Sequence, residues 1–472
     1  MANFGIDFGT TNSTLCCYSK GTGKKYIGDN KKIDEPLPSI VAINKNDGNI
    51  IVGKDVKDRI KSLEDEYYVV LSIKTILNDE NKEWKIGNQT YKPVDVAAQI
   101  LKALKENAKQ RYIGFDLSSA VISVPVNFEA SKKQKLKQAA EKAGIKITKF
   151  ISEPTAAYMA HYVELSAFSE VIVFDWGGGT LDISALKIED ASIQEIYTDN
   201  LYKAGDNIDK SLAKLIYEKS LRKQSLELIP FERLKTKDQD ELTAVAERAK
   251  IKLSKEGVDT VTEMLTVQEK TFRIDITYEE LCAVSEDLIN EAIEKLTNVI
   301  GKSSFKEIGC ILCVGGSCNL RLLREKLKIL WGMKVYFPDQ PEWDIADGAC
   351  TIDAAPDETG KYMLADDIKL GLSNGEWLTL LSKGQPVPTQ EAVFYLSTVD
   401  CTEAAKFIFK TNACNEEHVL FPVLGGIDEV LKLSVYIDDF SVFHACVETN
   451  KEKTEYEIFI GEKIDLCYHL EG

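Results

Sequence analysis

Two short segments far apart in the chain carry nearly the same wording: Asp7-Phe8-Gly9-Thr10-Thr11-Asn12 and Asp175-Trp176-Gly177-Gly178-Gly179-Thr180-Leu181-Asp182. Each follows an apolar run that reads as a buried strand, Asn3-Phe4-Gly5-Ile6 in one case and Val171-Ile172-Val173-Phe174 in the other. A second apolar run follows each motif, so each sits at the turn of a β-hairpin. A carboxylate at a strand end followed by a Gly/Thr turn is suited to phosphate and Mg²⁺. Glycines let backbone N–H groups approach phosphate oxygens, and threonines add hydroxyl donors. An aspartate is repelled by phosphate and acts through Mg²⁺ and its waters. Two copies predict two similar halves closing on one nucleotide.

The remaining composition narrows the class. The 472 residues are enough for about three domains' worth of core. The formal net charge of −17 argues against broad nucleic-acid binding, which needs a basic footprint. Met1-Ala2-Asn3 runs straight into the first strand, so no secretory leader is expected, and no apolar run is long enough for a bilayer. The eleven cysteines are scattered through apparent strands and helices, as in a reducing cytosol. Cys310 and Cys313 have CxxC spacing but lie in the apolar run 308–314, which reads as core strand. The four histidines do not cluster with cysteines, so no zinc site is expected.

Residues 1–355 alternate strands with amphipathic helices. Helices are expected over Val94–Lys109, over Ser131–Ala143 with Ser131 as cap, over Asp240–Ser254, and over Thr277–Ile300 stopped by Gly301. Lys132, Lys133, Lys135 and Lys137 read as a solvated helix face. After the polar stretch Asp357-Glu358-Thr359-Gly360-Lys361, helical periodicity gives way to short alternating runs. Strands are expected at Trp377–Leu381, Ala392–Val399, Ala405–Lys410, Leu431–Ile437, Val442–Val447 and Tyr456–Ile460, forming a small antiparallel sandwich or barrel.

Further segments suit a nucleotide. Glu247, Lys250 and Ser254 share one helix face and present hydrogen-bonding groups suited to a ribose or an adenine edge. Val314-Gly315-Gly316-Ser317 is an apolar strand ending in a glycine pair that opens a helix. Gly205-Asp206 precedes another helix. Lys74 is a lone lysine in apolar surroundings, and its neighbours alone do not assign it a role.

Taken together these segments resemble the DnaK-type 70-kDa heat-shock chaperone family. Gly5 to Ser13 is similar to that family's first phosphate motif and Asp175 to Asp182 to its second. Ser152-Glu153-Pro154-Thr155-Ala156-Ala157 resembles its connecting motif. Val314 to Ser317 resembles its adenosine motif, and Glu247-Arg248-Ala249-Lys250 with Leu253-Ser254 its adenine clamp. The motifs run in family order over 3–355. The resemblance implies an α/β actin-like ATPase domain, duplicated and ribonuclease H-like, over 1–356, with halves of about 1–170 and 171–356. A linker, 357–367, and a small all-β sandwich, 368–472, would follow.

It also implies roles. Asp7, Glu153 and Asp175 would hold Mg²⁺ mostly through water. Lys74 would position the attacking water. Thr180 and Asp182 would order the γ-phosphate and bound K⁺. Gly9, Thr10, Thr11, Asn12, Gly177, Gly178 and Gly179 would cradle phosphates. Gly205, Asp206, Glu247, Lys250, Ser254, Gly315, Gly316, Ser317, Asn319 and Glu342 would bind the rest of ATP or ADP. The reaction would be slow in-line attack of water on the γ-phosphate, driven by positioning and charge. The implied setting is a cytoplasmic monomer acting on unfolded or extended polypeptides. J-domain and nucleotide-exchange co-chaperones would be its partners, without nucleic acid or membrane.

The resemblance is uneven. Pro125 matches the segment carrying the family's proline switch, but Lys133 stands where the family places an arginine relay, and lysine lacks the bidentate fork. Tyr362-Met363-Leu364-Ala365 is a shorter aliphatic linker than the family's. The loop Asn374-Gly375-Glu376 is about two residues shorter, and no helical lid is read after it. These departures favour an alternative: a regulatory or exchange-factor-like protein docking one dedicated partner. The intact set Lys74, Glu153, Asp175 and Thr180 favours turnover. A small-molecule kinase on the same fold is the remaining class, and no acceptor pocket is readable for it.

Overall fold

A computed structural model describes residues 2–31, 35–112, 116–223, 226–355, 360–397, 404–411, 416–422, 430–448, 453–458 and 466–470. The expected boundary residues Asp357, Glu358 and Thr359, and the strand ends expected at Val399 and Ile460, lie outside them. Two compact units are present. One comprises Met1–Val126, Lys135–Leu186 and Ile196–Ala354, and the other Asn127–Gln134, Lys187–Glu195 and Ala355–Gly472. Among the described residues no helix is long and apolar enough to cross a membrane.

Although residues 127–134 and 187–195, which hold the start of one helix and the joined ends of two strands, group with the second unit, the first unit repeats one architecture. Its first half contains β1 (Asn3–Phe8), β2 (Asn12–Ser19), β3 (Gly23–Ile27), α1 (Pro93–Arg111), β4 (Ser119–Val124), α2 (Ala130–Lys142), β5 (Lys146–Ser152) and α3 (Glu153–Ala160). The sheet order is β5-β4-β1-β2-β3. β4 runs parallel to β1 and to β5, and β1-β2-β3 is antiparallel. The second half contains β6 (Glu170–Trp176), β7 (Leu181–Glu189), β8 (Ser192–Leu201), α4 (Gly205–Lys223), α5 (Thr236–Leu253), α6 (Tyr278–Lys302), β9 (Cys310–Val314), β10 (Val335–Tyr336) and α7 (Asp344–Ala354). Its order, β10-β9-β6-β7-β8, matches the first strand for strand. β9 is buried at every residue, which is why it reads as a continuous apolar run, Cys310 and Cys313 included.

The halves meet where α3 and α7, the helices that follow β5 and β10, cross. A Cβ on Gly348 of α7 would stand 1.7 Å from the Ala156 carbonyl oxygen of α3. One on Gly5 of β1 would stand 2.1 Å from the Cys350 amide nitrogen of α7. Backbone therefore lies on backbone at both contacts, a spacing only glycine permits.

Three local expectations are corrected. The first helical bond of α2 runs from the Lys133 N–H to the Glu129 carbonyl, which puts Ser131 inside the first turn rather than at the cap. The lysines of α2 are half-covered. Lys132 pairs with Glu129 and Lys135 with Glu80, while Lys133 donates to the Phe440 carbonyl at 3.4 Å. Gly301 does not stop α6, which continues to Lys302. That helix is fixed at its start by a capping box between Thr277 and Glu280 and carries a buried stripe including Leu281, Ile289, Leu296 and Val299.

The second unit is built on two antiparallel sheets. Its strands are β11 (Lys361–Leu364), β12 (Ile368–Gly371), β13 (Trp377–Leu381), β14 (Pro386–Val387), β15 (Ala392–Ser397), β16 (Ala404–Lys410), β17 (Glu416–Pro422), β18 (Val430–Ile437), β19 (Phe443–Glu448), β20 (Lys453–Ile458) and β21 (Leu466–His469). One sheet is β13-β12-β16-β17 and the other β15-β18-β19-β20. Leu370, Leu381, Phe407, Phe409, Leu433, Val435, Phe443 and Val447 fill one core, and the Phe409 ring meets Phe443 edge-on at 5.5 Å. Strands β11, β12, β14, β17 and β21 have no counterpart among the six strands expected from sequence.

Gly348→Ala is expected to destabilise the first unit by about 2 kcal/mol or more, because the backbone it meets cannot yield. Gly301→Ala, with nothing within 4 Å of the added methyl, is expected to be neutral or to gain up to about 1 kcal/mol. Urea unfolding of both variants against the parent checks this. Similar midpoints for the two would contradict the crossing contact.

Candidate nucleotide site

β1 and β6 are the central strands of the two duplicated sheets, and each carries an aspartate as its penultimate residue. Asp7 faces Ser123 of β4 in register, and the Ser123 hydroxyl donates to its Oδ1 at 3.1 Å. Asp175 lies opposite Val314 at the end of β9. Glu153 opens α3, where Ser152 caps the helix by accepting from the Thr155 N–H. Lys74 sits in a 3₁₀ turn, Ile73–Ile76, entered through Ser72 in the left-handed region (φ 52°). Its Nζ donates to Glu153 Oε1 at 2.6 Å, and its side chain is only 4% exposed.

The result is a buried excess of negative charge. Burial first, then the Glu153 charge, pushes the Asp7 carboxyl up to about 7, against the pull of Lys74 and Ser123. Burial, then Glu153, Asp182 and Asp7, drives Asp175 well above the carboxylate range. Burial and Glu153 raise Asp182 to about 6, with the Thr180 hydroxyl bond and Lys74 opposing. One ammonium among four carboxylates leaves a site that a divalent cation would neutralise. No group of three such side chains among the described residues is arranged to ligate a metal directly. The donor set suits a hydrated Mg²⁺, a hard ion that keeps its waters.

The glycine turns lie against each other. A Cβ on Gly178 would stand 2.7 Å from Thr11 Cγ2, and one on Gly179 2.7 Å from Thr11 Oγ1. The second turn is wired to α4, since the Gly205 N–H donates to the Gly177 carbonyl and the Asp206 N–H to the Gly178 carbonyl. It is also wired to the loop after β9, where the Ser317 hydroxyl donates to the Gly177 carbonyl at 2.7 Å. Gly315 has φ 84° and a Cβ there would stand 2.6 Å from Asp175 Oδ1. Gly9, Thr10, Thr11 and Asn12 join β1 to β2, and the Thr11 carbonyl accepts from Ser39 N–H.

The α5 residues form the third wall. Burial alone would raise the Glu247 carboxyl. Lys57, Lys250 and Lys54 outweigh it and hold that carboxyl at about 2. Lys57 Nζ donates to Glu247 at 2.6 Å from the short helix Lys54–Lys57. Lys250 donates to Asp209 at 2.7 Å and to the Gly205 carbonyl at 3.1 Å. The Ser254 hydroxyl donates to the Lys250 carbonyl of its own helix. Asn319 donates to Glu342 at 3.4 Å and accepts from Arg324 at 2.7 Å.

The structure thus groups Asp7, Lys74, Glu153, Asp175, Thr180 and Asp182 in one cluster and sets the glycine turns against each other. Lys57, Asp209, Ser123 and Arg324 were not singled out from sequence. For Ser123 a signal existed, a hydroxyl inside the apolar strand Ala120-Val121-Ile122-Ser123-Val124. The partners of Glu247 and Lys250 come from distant segments and left none. Pro125 directly follows β4 in the first unit, and Lys133 belongs to the second.

Comparison with known proteins shows the family. The family description "Hsp70 protein" matches residues 3–402. The chaperone protein DnaK of two strains of Halobacterium salinarum is 28% identical over 449 residues, covering 92% of this chain and 67% of each relative. The match spans both the duplicated unit and the start of the sandwich, and the chain belongs to the Hsp70 family, whose members are chaperone-type ATPases that use ATP, ADP and Mg²⁺.

Proposed function

We propose that this chain hydrolyses ATP slowly in the 1–356 region and uses the nucleotide state to gate binding of unfolded or extended polypeptides by the 368–472 β-domain through the 357–367 linker. The observation that carries the reading is the Lys74–Glu153 pair buried among Asp7, Asp175 and Asp182, beside two glycine turns. Backbone N–H groups of Gly9 to Asn12 and Gly177 to Gly179 bind phosphate oxygens. Asp7, Glu153 and Asp175 hold Mg²⁺ through its waters. When bound, that ion neutralises the carboxylates and screens the phosphate charge. Lys74 orients the attacking water toward the γ-phosphate, and Glu153 fixes the ammonium. Thr180 and Asp182 order the γ-phosphate and K⁺. Gly205, Asp206, Glu247, Lys250, Ser254, Gly315, Gly316, Ser317, Asn319 and Glu342 bind the nucleoside. Rate comes from positioning and fixed charge, which suits a switch. Pro125 and Lys133 carry the nucleotide state toward the β-domain. J-domain and exchange partners act on a monomer in the cytoplasm.

Lys74→Ala is expected to bind ATP within about threefold of the parent and to hydrolyse it at least about a hundredfold more slowly. Calorimetric titration and single-turnover phosphate release measure the two. Undiminished release would remove Lys74 from the mechanism.

The Asp7 carboxyl gives a pH signature. Its folded value of about 7 lies above the ordinary 3.8. Below pH 4 both states keep the proton. Between 4 and 7 unfolding releases it, so the folded state loses stability as pH rises, levelling above 7. Asp7→Asn lacks this loss. Relative to the parent without nucleotide it is expected to gain stability from pH 4.5 to 8, by at most about 4 kcal/mol. Thermal melts across that range check it, and a difference independent of pH would contradict it.

A labelled, extended, Leu-rich peptide should bind in ADP and leave faster on adding ATP, read by fluorescence anisotropy. Absence of binding in either nucleotide, with phosphate still released, would replace the gating proposal by a dedicated-partner role.

A further inference from the structure

The C-terminal strand β21 (Leu466–His469) is paired on both sides within the second unit. On one side Cys467, Tyr468 and His469 run antiparallel to Gln194, Ile193 and Ser192 of β8. On the other, all four residues run antiparallel to β11, Lys361 to Leu364. Both walls are braced from outside. β11 also pairs with β14, Tyr362 opposite Val387 and Met363 opposite Pro386. The end of β8 follows a tight turn in which Asp190 and Ala191 both take positive φ, 49° and 57°, the twist that a two-residue hairpin requires. The slot therefore has two preformed hydrogen-bonding edges.

Its recognition is also built in. Tyr468 is 2% exposed and meets the Tyr362 ring edge-on at 5.4 Å. Gly360 (φ 69°) leaves room for the phenol, since a Cβ there would stand 2.1 Å from the Tyr468 hydroxyl. His469 Nδ1 and the Ser192 hydroxyl are 2.8 Å apart, and the Leu470 N–H donates to the Ala191 carbonyl. One aromatic anchor on a four-residue strand makes a small contact to exchange against. Two edges and an aromatic pocket make a complete site for a strand.

We propose that the slot between residues 192–194 and β11 is a strand-addition site for an extended polypeptide with a tyrosine at the buried register, and that the chain's own β21 is its resident occupant. Exchange of that strand frees or pins β11. The site is distinct from the peptide binding proposed above and depends only on the strand pairing.

The test uses the full chain with Cys467→Pro, which removes an N–H from the middle of a strand paired on both sides. Tyr468→Ala, which removes only the anchor, is the second variant. The probe is a fluorescein-labelled peptide with the sequence of residues 464–472, under reducing conditions. Saturable anisotropy is expected with both variants, at least about tenfold tighter than with the parent, whose slot is filled. A probe with alanine in place of the tyrosine should bind about tenfold more weakly, and a Leu-rich peptide should not displace the original. Absence of saturable binding to folded variants would overturn the proposal. So would equal binding to the parent, or indifference to the tyrosine. Hydrogen exchange on the parent needs no variant. Amides of 361–364 and 467–469 should open together, before those of Leu433–Ile437, and opening only with that core overturns the proposal.

Discussion

Carboxylates taken out of water without enough cations beside them are the constraint around which the first unit is organised. Asp7 and Asp175 arrive on the central strands of two sheets, Glu153 on the first turn of a helix, and Lys74 brings an ammonium into their midst. Such a cluster costs folding free energy that packing elsewhere must offset, and the duplicated sheets, the crossing helices and the α5 wall supply that packing. The same buried charge is what a divalent cation would neutralise, and in the proposed function that cation is Mg²⁺. On that proposal, stability is given up at the same residues that hold the ion.

Duplication explains how two short motifs meet. A strand, a hairpin, a parallel return and a helix occur twice in the same sheet order. Each half alone supplies one aspartate near the end of its central strand and one glycine turn. Placed together, they put Thr11 against Gly178 and Gly179. The contact needs small residues on one side and a β-branched one on the other, which is the wording the two motifs carry.

The duplicated unit was legible because its signals are local. Apolar runs ending in Asp-x-Gly mark the strand ends, and the same wording twice marks two halves. The six sandwich strands read from alternation appear as strands too, within a few residues. What sequence did not show depends on distant partners. Lys57 finds Glu247, and Lys250 finds Asp209, across stretches with no shared pattern. Strand β21 has too few residues for alternation to register, and it is a strand because edges at 192–194 and 361–364 await it. Gly301 misled because a helix end is set by packing as well as by propensity, and the buried stripe of α6 carries the helix past it.

The crossing of α7 over α3 has a mechanical consequence. Where Gly348 rests on the Ala156 carbonyl, side chains of α7 also tie it to the first half, since Asp347 accepts from the Tyr26 hydroxyl at 2.7 Å and Asp353 from the Phe4 N–H at 2.9 Å. Held by backbone contact at Gly348 and Gly5 and by these bonds, the crossing moves least in any swing of the halves and serves as its axle. Displacement then grows with distance from that axle. A turn too small to disturb the Asp7 and Asp175 strand ends is magnified at outlying contacts such as Lys57–Glu247. Those ion pairs are therefore the place where a swing of the halves is first made or broken.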